Sequence, residues 1–531
     1  MSSMQNNILY YGDNLDVLRK YVLNESVDLI YLDPPFNSKA DYNILFKEPT
    51  GEESAAQIQA FSDFWHWDKN VEKTYLELQE DPKFTDTIQS LHRLLGRNDM
   101  MAYLVMMTIR LRELHRVLKP TGSIYLHCDP TASHYLKIIM DLIFGAKNFR
   151  NEIIWQRFTF HADAQRYGRV HDILLFYTKT DEYYWKTQYG EHKEAYKKSH
   201  FTHTDPNGRV YRLDNAIAKG QGPPRYFNGK LLEPPVGTHW RWSQENIDCL
   251  IKQGVIVFTK TGRPAVKRYL DTAKPAIHSI WTDIPPINSM SKERVGFQTQ
   301  KPIKLLERIV ESSCPEDGLV LDPFCGCGTT ILATQKLHRK WIGIDITHLA
   351  ISIIKSRLKE MYLVANRDYK VIGEPVDLAS ATKLMEYDPT GYQFQCWAVS
   401  RLDARPTNPD GKKGADKGVD GWLFFREGDD PNLRKIVVQA KGGTHIGANI
   451  VRDLLGTVQN TKSAMGILIT LHEPTQPMKE AAMEAEYYES SVWKEKYPKI
   501  QIITIEELFS GKRPKLPLTL ITNEGLAHFK S

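Results

Sequence analysis

The feature that most constrains this chain is a short apolar run, Val27–Leu32, cut off by Asp33-Pro34-Pro35-Phe36. Such a run stopped by prolines reads as a strand buried on both faces, as in a parallel sheet covered by helices. The Pro-Pro step removes backbone donors and freezes the loop. Open α/β sheets keep their ligand crevice at the carboxyl ends of the strands, and Asp33 stands at such an end. Asp33 offers a carboxylate acceptor, Pro34 a carbonyl held in one direction, and Phe36 a flat apolar face. Two acceptors beside a stacking ring suit an exocyclic amino group on a nucleobase drawn out of its stack. The tetrapeptide also reads as a turn closing a strand, with Asp33 as a local cap.

A second loop complements it. Leu319–Leu321 reads as a strand, and Asp322-Pro323-Phe324-Cys325-Gly326-Cys327-Gly328-Thr329-Thr330 follows it and opens a helix. Gly326 and Gly328 remove side chains where backbone approaches a ligand. The next strand ends in Gly343-Ile344-Asp345, and an acid so spaced can take the ribose hydroxyls of an adenosine. The third glycine of a dinucleotide fingerprint is missing, and no Gly-Lys-Ser/Thr phosphate loop is present. That favours an adenosyl cofactor without pyrophosphate, such as S-adenosylmethionine. Cys325 and Cys327, with Cys314 nearby, read as small buried thiols, because a second pair or a histidine partner is lacking.

At 531 residues, and roughly 150 per domain, about three domains are expected. A 41% hydrophobic, 25% charged composition excludes wholesale disorder, and a net charge of +5 is only compatible with nucleic acid. Six cysteines make no disulfide scaffold. No secretory leader opens the chain, and the apolar stretch Met100–Ile109 is about half a membrane span. A cytoplasmic protein is expected. The pattern divides into residues 1–150, α/β; 151–295, an irregular insertion interleaving basic and aromatic residues such as Trp155, Arg157, Tyr196, Arg225 and Trp240; 296–370, α/β again; and 386–531, a C-terminal unit with its own strands.

Together these residues resemble the amino-methylating DNA methyltransferases of N6-adenine or N4-cytosine type. Tyr31–Asn37 resembles the family's catalytic motif, Asp322–Thr330 its cofactor loop, Gln298-Thr299-Gln300-Lys301-Pro302 the segment wrapping the methionine end of the cofactor, and His171–Lys179 a further strand. The catalytic motif precedes the cofactor loop by 289 residues, which is similar to the permuted beta group, where a target-recognition region lies between the halves. The resemblance implies a Rossmann-like methyltransferase with a permuted, mostly parallel sheet, acting on double-stranded DNA with S-adenosylmethionine. It implies Asp33, Pro34, Pro35 and Phe36 as catalytic, and Lys301, Pro302, Asp322, Phe324, Gly326, Gly328, Thr329 and Asp345 as cofactor-binding. Aspartate as the first motif residue is similar to the adenine enzymes, so adenine N6 is the expected target, with cytosine N4 as the alternative. A homodimer or a restriction–modification partner subunit are the protein partners it leaves open.

In the C-terminal unit, Gly418-Val419-Asp420-Gly421 precedes a strand, Trp422–Phe425, and a second strand ends in Gln439-Ala440-Lys441. Further strands are expected at Gly466–Leu471 and Ile500–Ile505. An aspartate on one strand and an acid-X-lysine on the next can hold Mg²⁺ beside a lysine that activates water. Here the acid is Gln439, which resembles the Mrr-like branch of the restriction-endonuclease superfamily. That likeness implies an α/β nuclease fold, with Asp420 as metal ligand, Asp420, Gln439 and Lys441 as catalytic, and Glu386 as a candidate upstream acid. A Mg²⁺-dependent endonuclease, a combined restriction–modification chain and a non-cutting DNA-binding domain all stand as alternatives.

Overall fold

The computed structural model describes residues 7–35, 66–158, 167–288, 291, 293–295, 297, 299–387, 391–406, 418–427, 433–490, 492 and 494–517. Two compact units separate: one comprises Met1–Lys186 with Ser279–Ser531, the other Thr187–His278.

The first unit is built on a nine-stranded sheet. Its strands run Ile280–Trp281, Phe149–Gln156, His171–Thr178, Leu118–Cys128, Val27–Leu32, Leu319–Asp322, Lys340–Asp345, Ile8–Tyr11 and Lys370–Ile372 in spatial order. Every pairing is parallel except the two that His171–Thr178 makes, so one reversed strand interrupts a parallel sheet. All six residues of Val27–Leu32 are buried, as a strand covered on both faces must be. The helix Asp99–Val117 buries residues all around its circumference and starts where the Asn98 side chain accepts from the Met101 amide at 2.9 Å.

One acid lies inside this apolar strand. Asp28 accepts from Lys119 Nζ with both oxygens, at 2.9 and 2.8 Å, and from the Leu319 amide at 2.9 Å. Its charge is thereby paired, and it ties Val27–Leu32 to the strands on either side. The sequence predicts a turn at Lys119–Gly122, whereas the structure keeps these residues within Leu118–Cys128 as an irregularity in the ladder. Gly122 permits this, since a Cβ there would stand 2.6 Å from Leu118 Cδ1.

The insertion boundary drawn from the sequence at 151–295 differs from the structure. Phe149–Gln156, His171–Thr178 and Ile280–Trp281 are strands of the main sheet, and only Thr187–His278 forms a separate body. Fading periodicity in that stretch marks buried strands as well as irregular chain. The separate body has a four-stranded antiparallel sheet and a helix, Gln244–Lys252, around Phe227, Trp240, Ile247 and Val266.

The four C-terminal strands read from the sequence are present, and Arg405–Pro406 adds a fifth that the sequence reading did not include. Arg405–Pro406, Gly421–Arg426, Leu433–Lys441, Met465–Thr470 and Ile500–Thr504 form one five-stranded sheet, antiparallel at first and then parallel. Its helix Tyr392–Ser400 packs on the helix His348–Glu360 of the larger sheet. Between them the buried Gln393 side chain accepts from the His348 amide at 2.9 Å. Among the described residues no helix is long and apolar enough to cross a membrane.

Asp28→Ala would orphan the Leu319 amide and strip Lys119 of its partner. A loss of about 2–3 kcal/mol in urea unfolding is expected; a loss within a few tenths of zero would remove Asp28 from this role.

Candidate active site

Val27–Leu32 and Leu319–Asp322 lie side by side and parallel, with Leu29 opposite Val320 and Ile30 opposite Leu321. Both chains therefore leave the sheet at the same edge. The two loops read from the sequence meet there, in an open cleft of about 350 Å³. Tyr31 and Asp33 line it from the first loop, Asp322, Phe324, Gly326 and Thr329 from the second, and Phe297 and Lys301 from the segment before helix Ile303–Ser313.

The second loop turns through two left-handed glycines. Gly326 has φ +49° and Gly328 φ +80°, a conformation that favours glycine. A Cβ on Gly328 would also meet Ile354 Cγ1 at 2.6 Å, and one on Gly326 would press on Phe297 at 3.3 Å. The loop is braced from behind. Asn14 Nδ2 donates to the Pro323 carbonyl at 2.8 Å, and Arg110 Nε donates to Asn14 Oδ1 at 2.7 Å. Asp345 accepts from the Gly326 amide at 2.9 Å, and its other oxygen accepts from the Thr347 amide and hydroxyl at 2.9 and 2.8 Å. It thus stands behind the glycines and is not among the residues lining the cleft.

The cleft concentrates negative charge against one cation. Burial pushes the Asp322 carboxyl up to about 7, and the charges of Asp33 and Asp345 push the same way, against hydrogen bonds from the Thr330 hydroxyl and the Phe324 amide. Lys301 Nζ bonds to Asp33 Oδ2, with both side chains largely buried. The sequence assigns Lys301 to the cofactor; the structure sets it on the carboxylate of the first loop. Pro302 is the residue from which helix Ile303–Ser313 starts. Pro34 is buried and Pro35 half-buried at the mouth of the first loop. Phe36, Asn37 and Gln298 lie outside the described residues.

Sequence reasoning missed two polar groups beneath the cleft. The Tyr31 hydroxyl meets His127 Nδ1 at 2.8 Å, and His127 Nε2 meets Asp172 Oδ2 at 3.1 Å. Their only sequence signal is a histidine and an aspartate set in otherwise apolar strands. Asn14 and Arg110 carried no signal of their own.

The C-terminal constellation is assembled differently from the expectation. Asp420 Oδ2 accepts from the Ala440 amide at 2.8 Å, and the buried Gln439 donates its amide to the Gly418 carbonyl. Lys441 ends the strand, and Glu386 is exposed on helix Leu378–Tyr387. Among the described residues no group of three or more His, Cys, Asp or Glu is placed to hold a metal. One carboxylate taken by a backbone amide, beside a neutral amide, does not fit Mg²⁺, which wants a hard, largely anionic oxygen set.

Comparison with known proteins gives two family matches. Residues 27–356 match the N6/N4 methyltransferase family described as DNA methylase. Residues 395–510 match a family described as NACHT-associated inactive Restriction Endonuclease 1. Similar curated proteins include the type II methyltransferase M.EcaI of Enterobacter cloacae, 30% identical over 48% of this chain and 57% of its own length. The Mod subunit of the type III restriction-modification enzyme StyLTI of Salmonella typhimurium is 28% identical over 63% of this chain and 50% of its own. The type II methyltransferase M.BamHI of Bacillus amyloliquefaciens is 25% identical over 69% and 59%. The chain thus spans about half to three-fifths of these relatives.

The raised Asp322 carboxyl makes stability pH-dependent. Between about 3.9, the ordinary aspartate value, and about 7, the folded protein keeps a proton that the unfolded chain has lost. Stability therefore falls as pH rises through that window and levels off above it. Asp322→Asn is expected to narrow the drop in Tm between about pH 5 and about pH 8; an unchanged drop would mean that Asp322 is not the group responsible.

Proposed function

The chain belongs to the N6/N4 DNA methylase family, and on that premise we propose that it moves a methyl group from S-adenosylmethionine to the exocyclic amine of a flipped base in double-stranded DNA. The observation that carries this reading is the single cleft shared by Asp33 and the glycine loop. An exocyclic amine is a poor nucleophile because its lone pair is delocalised into the ring. Asp33 and the Pro34 carbonyl accept its two N–H hydrogens and turn the lone pair outward. Lys301 occupies Asp33 Oδ2 and leaves the other oxygen for the amine. Phe36 supplies the stacking face. No covalent intermediate with the protein is needed.

The cofactor fits a cradle that a Cβ would fill: at Gly326 a methyl group would crowd Phe297. Bound there, S-adenosylmethionine supplies an electrophilic methyl on a sulfonium. Gly326, Gly328 and Thr329 bring backbone close to it, Phe324 gives an apolar face, Asp322 lines the cleft beside it, Asp345 holds the loop from behind, and Pro302 starts the helix beside the methionine end. Adenine N6 is the proposed target because the first motif residue is Asp33; cytosine N4 is the alternative. The body Thr187–His278 is proposed as the target-recognition region, and a homodimer or a restriction–modification subunit as protein partner, in the cytoplasm.

The C-terminal domain is proposed as an accessory DNA-binding fold that does not cut. That no group of three or more His, Cys, Asp or Glu is gathered there among the described residues supports this, as does the description of the family that it matches. Plasmid incubated with the full chain and Mg²⁺, with or without cofactor, is expected to stay intact; cleavage lost in Lys441→Ala would overturn that part.

Asp33→Ala tests the main claim. Cofactor binding by calorimetry is expected to persist while methyl transfer to DNA falls by about a hundredfold or more. Unchanged turnover would refute the role of Asp33.

A further inference from the structure

Beneath the cleft, three neighbouring strands each contribute one polar group to a row, and the residue after a fourth strand completes it. Tyr31 belongs to Val27–Leu32, His127 to Leu118–Cys128 and Asp172 to His171–Thr178, and Arg157 directly follows Phe149–Gln156. The Tyr31 hydroxyl lies 2.8 Å from His127 Nδ1, His127 Nε2 3.1 Å from Asp172 Oδ2, and Arg157 Nη1 3.3 Å from Asp172 Oδ1. His127 is 0% exposed and Asp172 2%. The Trp155 indole stands edge-on against the imidazole, with ring centres 5.8 Å apart.

Taking an imidazole and a carboxylate out of water, in a sheet otherwise filled with Ile, Leu and Phe, is costly, and an apolar filling of the same volume is often as stable or more so. The row is nonetheless satisfied from end to end. Burial opposes the charge on Asp172, but the hydrogen bond from His127, with the cations Lys301 and Arg157, holds its carboxyl down to about 2. In the neutral imidazole, Nε2 donates to that carboxylate, so Nδ1 accepts and Tyr31 must donate. The direction of each bond is then set from Asp172 outward. The row ends on Tyr31, a cleft residue only two positions before Asp33.

We propose that His127 and Asp172 are positioning residues of the methyl-transfer site, acting through the Tyr31 hydroxyl to fix the strand end that carries Asp33 and Pro34. This rests on the methyltransferase reading above. A row of this kind holds the amine-binding corner against the push of the incoming base. It does so from within the sheet.

The test uses the full chain and its methyl transfer to DNA, with cofactor affinity by calorimetry and Tm measured alongside. Tyr31→Phe, His127→Phe and Asp172→Asn are each expected to lower kcat by about a hundredfold, the cost of a small misplacement at the reacting centre, with cofactor Kd and KM for DNA unchanged. The double variant Tyr31→Phe/His127→Phe is expected to be no worse than either single one, because both break one row. His127→Gln, which can still accept from Tyr31 and donate to Asp172, is expected to recover part of the loss. Should His127→Phe fail to fold, Tyr31→Phe, which removes one hydroxyl, and His127→Gln carry the test. A kcat within about twofold of wild type in Tyr31→Phe, multiplied losses in the double variant, or a Tm and cofactor affinity that fall together with kcat would each overturn the proposal. A wild-type protein that transfers no methyl group would instead sink the underlying reading, and this inference with it.

Discussion

The candidate site depends on two strands lying next to each other, Val27–Leu32 and Leu319–Asp322. Adjacent strands sit about 4.8 Å apart, so loops leaving the same edge are within one side chain's reach. That spacing is why Asp33 raises the proton affinity of Asp322, and why one lysine can answer a pocket of carboxylates. Asp28 secures the arrangement from within: an acid buried in an apolar strand is tolerated because it bonds to the amide of one neighbour and the ammonium of another. Remove the adjacency and the amine-binding corner and the glycine loop become unrelated turns.

Much of this was legible in the sequence, for identifiable reasons. Pro34 and Pro35 mark a strand end wherever they occur, and Gly326 and Gly328 mark left-handed turns; both signals are local and survive without tertiary information. Four strands of the C-terminal unit announced themselves as apolar runs, while Arg405–Pro406, Tyr487–Glu489 and Lys496–Pro498 carried no such signal. What stayed hidden was cross-strand. The pairing of Lys301 with Asp33 joins residues 268 apart, and Asn14 reaches Pro323 over 309. No periodicity encodes such contacts. The insertion was placed too wide for a related reason: in Phe149–Gln156 only Ile153 and Trp155 are buried, and its place in the sheet shows in its pairing with His171–Thr178 and Ile280–Trp281 rather than in an apolar pattern.

The C-terminal domain is built on a five-stranded sheet of its own. Asp420, just before one strand, accepts from the Ala440 amide, and Gln439, on the next, donates to the Gly418 carbonyl. The domain is also no loosely tethered passenger: Gln393 satisfies the first amide of helix His348–Glu360, and Tyr11 stacks on the buried His348 ring at 3.7 Å beside the core of the C-terminal sheet.

The place of Ile8–Tyr11 in the sheet has a consequence for how the protein is made. This strand leaves the ribosome well before its two neighbours, Lys340–Asp345 and Lys370–Ile372, which are among the last strands of the large sheet to emerge. Its backbone donors and acceptors wait through roughly three hundred residues of synthesis for their partners, and a chain with such distant pairings folds slowly and exposes an unpaired edge meanwhile. The half of the molecule bearing the Asp33 corner is thus born open, and becomes competent only when the far half closes around its first strand.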